Sequence, residues 1–200
     1  MTAGPMIAAA AAAQARAQAM AKAGHAWAPY AEQGGMAFRP GRQGWAHTEM
    51  PRLDGVLDDV RVAIELGQGL GGEIETMALA VIAAPLQGHL EVTREGLVAK
   101  LTKVFGAQDV VLGDAPFDRA FLVKATPPDL AHQLLGPLVR AEMLALPTTR
   151  LAYDDGSEHS HLAMVVFVLG ALVESPDVLD RMLKVATTLA RVRPTTSAYR

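Results

Sequence analysis

Between Asp59 and Gly67 an apolar residue falls at every second position: Val60, Val62, Ile64 and Leu66, with Arg61 and Glu65 among those between. A strand turns successive side chains to opposite faces, so a period of two marks a half-buried β-strand and rules out an amphipathic helix here. Arg52 to Leu57 alternates in the same way, and Asp58-Asp59 supplies the turn between the two runs. Further strand candidates are Gly35 to Arg39, ended by Pro40-Gly41, then Leu90 to Thr93, Thr149 to Tyr153 and Leu162 to Leu169, the last two joined by the turn Asp154-Asp155-Gly156. Ile74 to Ala84 is a long apolar run that stops at Pro85, and Val110–Leu112 and Phe121–Val123 are short apolar segments. Short turns between strands imply antiparallel pairing. Helical patterns fall between groups of strands: Glu95 to about Phe105, Pro127 to Gly136, Pro137 to Leu146, and 176–192, where Val178, Leu179, Met182, Leu183, Ala186 and Leu189 share one face. The expected fold class is α+β, a mostly antiparallel sheet with helices packed on one face.

An alanine-rich helix precedes this body. Ala8 to Ala13 is unbroken, and Gln14, Arg16, Gln18 and Lys22 follow among further alanines. Alanine forms helix readily because ordering it costs no side-chain entropy. Gly24 reads as its stop, and Trp27, Pro29 and Tyr30 as a short second turn before Gly34-Gly35. The organisation expected is a helical arm over 1–33, a body over 34–195 and a tail over 196–200. An isolated helix of this kind is marginal in water. The arm is therefore expected to dock on a protein partner or on another copy, with the body folding without it. A signal-peptide core at Ala8–Ala13 lacks the preceding basic residues.

Composition narrows the function classes. Lys and Arg number 18 against 21 Asp and Glu, for a net charge of -3 over 200 residues. That balance gives no broad basic face for nucleic acid and no attraction to an anionic membrane. Cysteine is absent, which excludes disulfides, thiolate metal sites and a cysteine nucleophile. No stretch carries the roughly 20 apolar residues that a membrane-spanning helix needs, so no membrane insertion is expected and a cytoplasmic location is.

The segment Gly113-Asp114-Ala115-Pro116-Phe117-Asp118-Arg119-Ala120-Phe121-Leu122-Val123 resembles a large group of uncharacterised bacterial proteins with the pattern Gly-Asp-x-x-Phe-Asp-x-x-Phe-x-Val. In that group the segment follows a short helix, here Arg94 to Lys103, and precedes two helices, a strand pair and a final helix. The resemblance covers about residues 35–192 and implies this order of elements, with no activity or cofactor attached. Many relatives carry membrane helices ahead of the domain, where this chain has its alanine-rich arm. On physical grounds Asp114 accepts amides of the turn that follows, Pro116 fixes that turn, and Phe117 and Phe121 anchor it in a core poor in aromatics. Asp118 is expected to pair with Arg119 or to cap the next segment. Gly113, Asp114, Phe117, Asp118 and Phe121 are thus a structural motif. The alternative makes the two carboxylates an acid/base or metal pair, and it lacks a second group of ligands.

Few residues offer chemistry. Gly67-Gln68-Gly69-Leu70-Gly71-Gly72 matches Gly-x-Gly-x-x-Gly, which needs a following helix whose amino end meets pyrophosphate. Glu73 and Glu75 would repel phosphate there, so a hairpin loop is expected instead. His159 and His161 would project to one face of a strand as metal ligands must, with Asp154, Asp155 or Glu158 as an oxygen donor. His47, His89 and His132 are distant in sequence, and no cofactor is expected. The leading reading is a non-enzymatic protein-interaction or assembly module. The alternatives are a metal-dependent hydrolase using His159 and His161, and a small-ligand-binding domain with its pocket between sheet and helices.

Overall fold

The computed structural model of the chain describes residues 4–44, 48–69, 72–96, 108–146, 149–157 and 162–194. The helix expected at Glu95–Phe105 lies mostly outside them, as do His159 and His161. A helix α1 (Gly4–Gly34) leads into the short strands β1 (Ala37–Arg39), β2 (Arg42–Gln43) and β3 (Thr48–Glu49). The strands β4 (Arg52–Leu57), β5 (Val60–Gln68), β6 (Ile74–Val81), β7 (His89–Arg94) and β8 (Gln108–Asp109) follow. Then come α2 (Ala115–Ala120), β9 (Phe121–Thr126), α3 (Asp129–Leu134) and α4 (Pro137–Ala145). The chain ends on β10 (Thr149–Asp154), β11 (Met164–Leu169) and α5 (Pro176–Ala190).

Nine strands form one sheet in the order β1-β4-β5-β6-β11-β10-β7-β9-β8. Every neighbouring pair is antiparallel. The fold is α+β, as the strand and helix patterns predict. The β4–β5 hairpin is closed by Asp58 and Asp59, both in the left-handed region, as a two-residue turn matched to strand twist requires. The glycine-rich segment sits between β5 and β6, which pair directly from Val62–Ala80 to Gln68–Ile74. A strand therefore follows it, where a dinucleotide site would need a helix.

Register carries one apolar layer across the sheet. Leu53 pairs with Ile64, Ile64 with Ala78, Ala78 with Phe167, Phe167 with Leu151 and Leu151 with Val92. All are buried, and α5 packs across them on β5, β6 and β11. Its Leu179, Met182, Leu183, Ala186 and Leu189 are buried in the same core.

Helix α1 departs from its expected extent. It does not stop at Gly24, and Pro29 lies inside it. Ala19, Ala23, Trp27 and Ala31 recur every four residues and are buried in the body's core. Trp27, fully buried, donates its indole N–H to the Val173 carbonyl at 2.8 Å, and the Tyr30 hydroxyl donates to Asp180 at 2.6 Å. Gly24 costs a helix about 1 kcal/mol and an interior proline about 3 kcal/mol, and the burial of Ala19, Ala23, Trp27 and Ala31 together with the Trp27 and Tyr30 hydrogen bonds offsets them. The expectation that a partner covers the arm is thus corrected for residues 19–31, whose cover is the chain's own body. Residues 8–12 of the same helix stand exposed.

The Gly113–Val123 segment also differs. Instead of a turn it forms a short helix, α2, capped by Asp114, whose side chain accepts the Phe117 amide at 3.4 Å. The second Asp114 oxygen takes Arg140 Nε at 2.8 Å and so ties α2 to α4. Asp118 accepts the Leu112 amide at 3.0 Å rather than pairing with Arg119, which donates to the Ala115 carbonyl. Phe117 and Phe121 are buried and stacked at 4.6 Å between ring centroids, and the Arg94 guanidinium lies 5.3 Å from the Phe121 ring centre.

Candidate functional site

All the described helices that pack on the sheet lie on the side of Ile64, Ala78 and Phe167. The opposite side is built by the alternate residues: Arg61, Ala63 and Glu65 on β5, Met77, Leu79 and Val81 on β6, and Met164, Val166 and Val168 on β11. A groove of about 680 Å³ lies open there over β4, β5, β6 and β11. Ala63, Leu79, Val81 and Met164 line it, and so do Val56 and Leu162, two large apolar side chains 63% and 46% exposed.

Charge frames the apolar strip. On the β4 side Arg52 pairs with both Asp54 and Glu65, and Arg39 reaches Asp54 as well. Burial alone would raise the Asp54 pKa, but the hydrogen bonds from Arg39 and Arg52 outweigh it and hold the carboxyl below its usual range. Across the strip, Arg150 on β10 lies 3.8 Å from Glu75. Glu91 on β7 is pushed up by burial, against the pull of Arg150 and Lys124.

At the margin of this face the structure gathers a cluster that sequence distance concealed. His89 opens β7 and Asp154 closes β10, and the β7–β10 register places them opposite each other. His89 Nδ1 is 3.8 Å from Asp154 and its Nε2 is 4.0 Å from Asp155. Both carboxylates also brace the turn: Asp154 accepts the Gly156 amide, and Asp155 accepts those of Gly88 and Ser157. Gly88 is required for that approach, since its φ is +120° and a Cβ there would stand 2.0 Å from the Thr126 carbonyl oxygen. Burial raises the Asp155 pKa, but the Ser157 and Gly88 contacts and the nearby His89 bring it below normal. The three side chains lie close enough to surround a cation. Yet the imidazole turns one nitrogen to each carboxylate, whereas a metal takes a single ring nitrogen. The cluster offers a cation one imidazole and two carboxylates, and both carboxylates are already engaged by backbone amides. Of the sequence candidates, Asp154 and Asp155 are in this cluster, while Glu158, His159 and His161 lie outside the described residues.

The 680 Å³ groove does not lie between sheet and helices, where Trp27, Phe167, Leu151, Leu179 and Met182 are buried; a smaller cavity of about 240 Å³ opens on that side where the end of β11 meets the start of α5, lined by Leu169, Leu172, Val173 and Val178. The groove on the other face went unread in the sequence. Its signal was present in β6 and β11, which are apolar on both faces.

Fold and surface together define a single-layer antiparallel sheet with helices on one side and a charged-rimmed apolar groove on the other. No family model and no curated protein sequence matches the chain. Among solved structures it is similar to the mycobacterial trehalose monomycolate transport factor A, TtfA, with a TM-score of 0.59 at 12% sequence identity, covering 86% of this chain and 96% of that one. At that identity the likeness shows the fold. No helix among the described residues is long and apolar enough to cross a membrane.

Proposed function

We propose that the protein is a non-enzymatic docking module that works through the helix-free face of its sheet. One observation carries this reading: β6 and β11 present apolar side chains to both faces, while the described helices cover only one. Strands apolar on both faces are the mark of sheets covered on both sides. Leaving Leu79, Val81, Met164 and Val166 only partly buried forgoes about 25 cal/mol for each Å² of apolar surface that a partner would bury. The charged rim sets orientation. The transport role named for the mycobacterial protein is compatible with such a module, as an accessory that acts by holding another component. The likeness of Gly113–Val123 to the uncharacterised bacterial group belongs to the same proposal, its residues serving as scaffold.

Photo-crosslinking in living cells tests it. A photoreactive residue replaces Leu79 in the groove or Val166 beside it on the same face, or Gln133, exposed on α3, as control. A discrete adduct from positions 79 and 166 but not from 133 supports the docking face. Its absence at both positions overturns the reading.

A further inference from the structure

We infer that the partner on this face is a second copy of the chain, stacked sheet on sheet about a two-fold axis that runs along the strands between β6 and β11. The inference rests on the docking reading above. It comes from the order of side chains across the open face.

A two-fold axis in that position keeps each residue at its height along the strand and exchanges strands across the centre. It sets β6 over the partner's β11, and β5 over the partner's β10. The register gives the heights. Val81 is level with Met164, Leu79 with Val166 and Met77 with Val168, so the centre of the interface is apolar on both sides. One strand further out, Ala63 is level with Leu79, which is level with Val166, which is level with Ala152. Ala63 therefore meets the partner's Ala152, small against small. By the same rows Glu65 meets the partner's Arg150, and one residue beyond the paired stretch of β5 and β6 Arg61 comes level with Val81 and so meets the partner's Asp154. Each charge meets an opposite one, in addition to the partners Arg52 and Glu75 that Glu65 and Arg150 hold within their own chain, and the axis repeats both pairs. Within one chain Glu65 and Arg150 stand on strands separated by β6 and β11, roughly 14 Å apart at about 4.8 Å per strand, too far to pair with each other.

A two-fold axis across the strands fares worse. It brings Asp54 onto Asp54, Glu91 onto Glu91 and Lys124 onto Lys124, each a like-charge contact. The axis along the strands leaves one such contact, Asp54 against Glu91, where Asp54 already holds Arg39 and Arg52. Six strands from β4 to β7 span about 30 by 20 Å, or about 600 Å² in projection. A standard interface buries about 800 Å² of accessible surface per partner, and a pleated face exceeds its projection. Packed sheets of this kind lie about 10 Å apart with strands within roughly 30° of parallel. The expected dimer is of moderate affinity and depends on concentration.

Sedimentation velocity of the full chain over a concentration series is the test, with circular dichroism melts to show that each variant is folded. Wild type is expected to dimerise. Glu65→Arg and Arg150→Glu should each weaken the dimer by at least about tenfold, because each sets two like charges face to face. Mixing these two variants in equal amounts should restore dimers, since Arg at position 65 of one copy then meets Glu at position 150 of the other, and across the axis the native Glu65–Arg150 pair is kept. A wild type that stays monomeric at every concentration overturns the proposal. So does a mixture no better than its components. Recovery of Glu65→Arg by Arg61→Glu rather than by Arg150→Glu points to the crosswise axis and also overturns it. A monomer whose positions 79 and 166 crosslink to a different protein rejects the second copy and leaves the docking reading standing.

Discussion

Asp114 shows how one side chain can stabilise two elements at once. One oxygen caps α2 and the other holds Arg140 on α4. Asp114→Ala removes the cap and leaves a half-buried guanidinium without its carboxylate, so a loss of about 2 kcal/mol is expected in urea unfolding. The stacked pair Phe117 and Phe121 costs more: each Phe→Ala change should lower stability by about 3–5 kcal/mol, because both rings are buried and the space they leave cannot close fully. Asp155 makes stability depend on pH. Its folded pKa lies below the usual 3.8. Its contribution is therefore present above that value and lost as pH falls through the lowered folded pKa. Denaturant titrations below about pH 4 should show a shallower decline for Asp155→Asn than for the native chain. The paired nitrogens of His89 carry one more expectation, namely that elemental analysis of purified protein finds no stoichiometric zinc.

Elements were legible where pattern and burial agree. β5 alternates and is buried on one face; α5 shows its stripe and presents that stripe to the sheet. Where the sequence misled, tertiary contacts had overruled local signals. Gly24 and Pro29 are ordinary helix breakers, yet α1 runs through both because Ala23, Trp27 and Ala31 are held against the body. The six residues of α2 carry no helical period long enough to read, and an Asp cap looks the same before a turn as before a helix. His89 lies far from Asp154 in sequence, and only the β7–β10 register unites them. The two halves of α1 should accordingly behave differently. Removing residues up to 18 takes away none of the described buried side chains and loses only the exposed hydrogen bond from Arg16 to Gln68 among the described contacts, so it should leave the melting temperature nearly unchanged. Removing residues up to 34 also takes away Trp27 and its hydrogen bond to Val173, and should lower stability by at least about 3 kcal/mol, the typical cost of deleting a buried tryptophan side chain. Thermal melts of the two truncations decide the matter. If both melt alike, the helix is not part of the core.

At the scale of the whole molecule the sheet divides the chain into a finished side and an open one, and β6 and β11 belong to both. Read alone, Ile74–Val81 and Met164–Leu169 look like strands buried on two faces, because a continuous apolar run hides its period. The structure separates the two sets. Ala78 and Val165 point into the helical core and are fully buried, while Leu79 and Val166, their chain neighbours, lie on the open face and are only partly buried. Adjacent residues of similar hydropathy should thus respond oppositely to one substitution. Ala78→Lys or Val165→Lys drives a charge into a packed interior with no counter-ion, a mechanism that accounts for the largest single-residue losses, and the chain should fail to fold cooperatively. Leu79→Lys or Val166→Lys gives the isolated chain a solvated ammonium beside the rim carboxylates. It should leave the unfolding transition of the monomer, measured at low concentration, within about 1 kcal/mol of the native value. Its effect should appear only as concentration rises and the apolar centre of the face would otherwise be covered. If Leu79→Lys unfolds the monomer as Ala78→Lys does, the groove is closed by the chain itself and the face is not a docking surface.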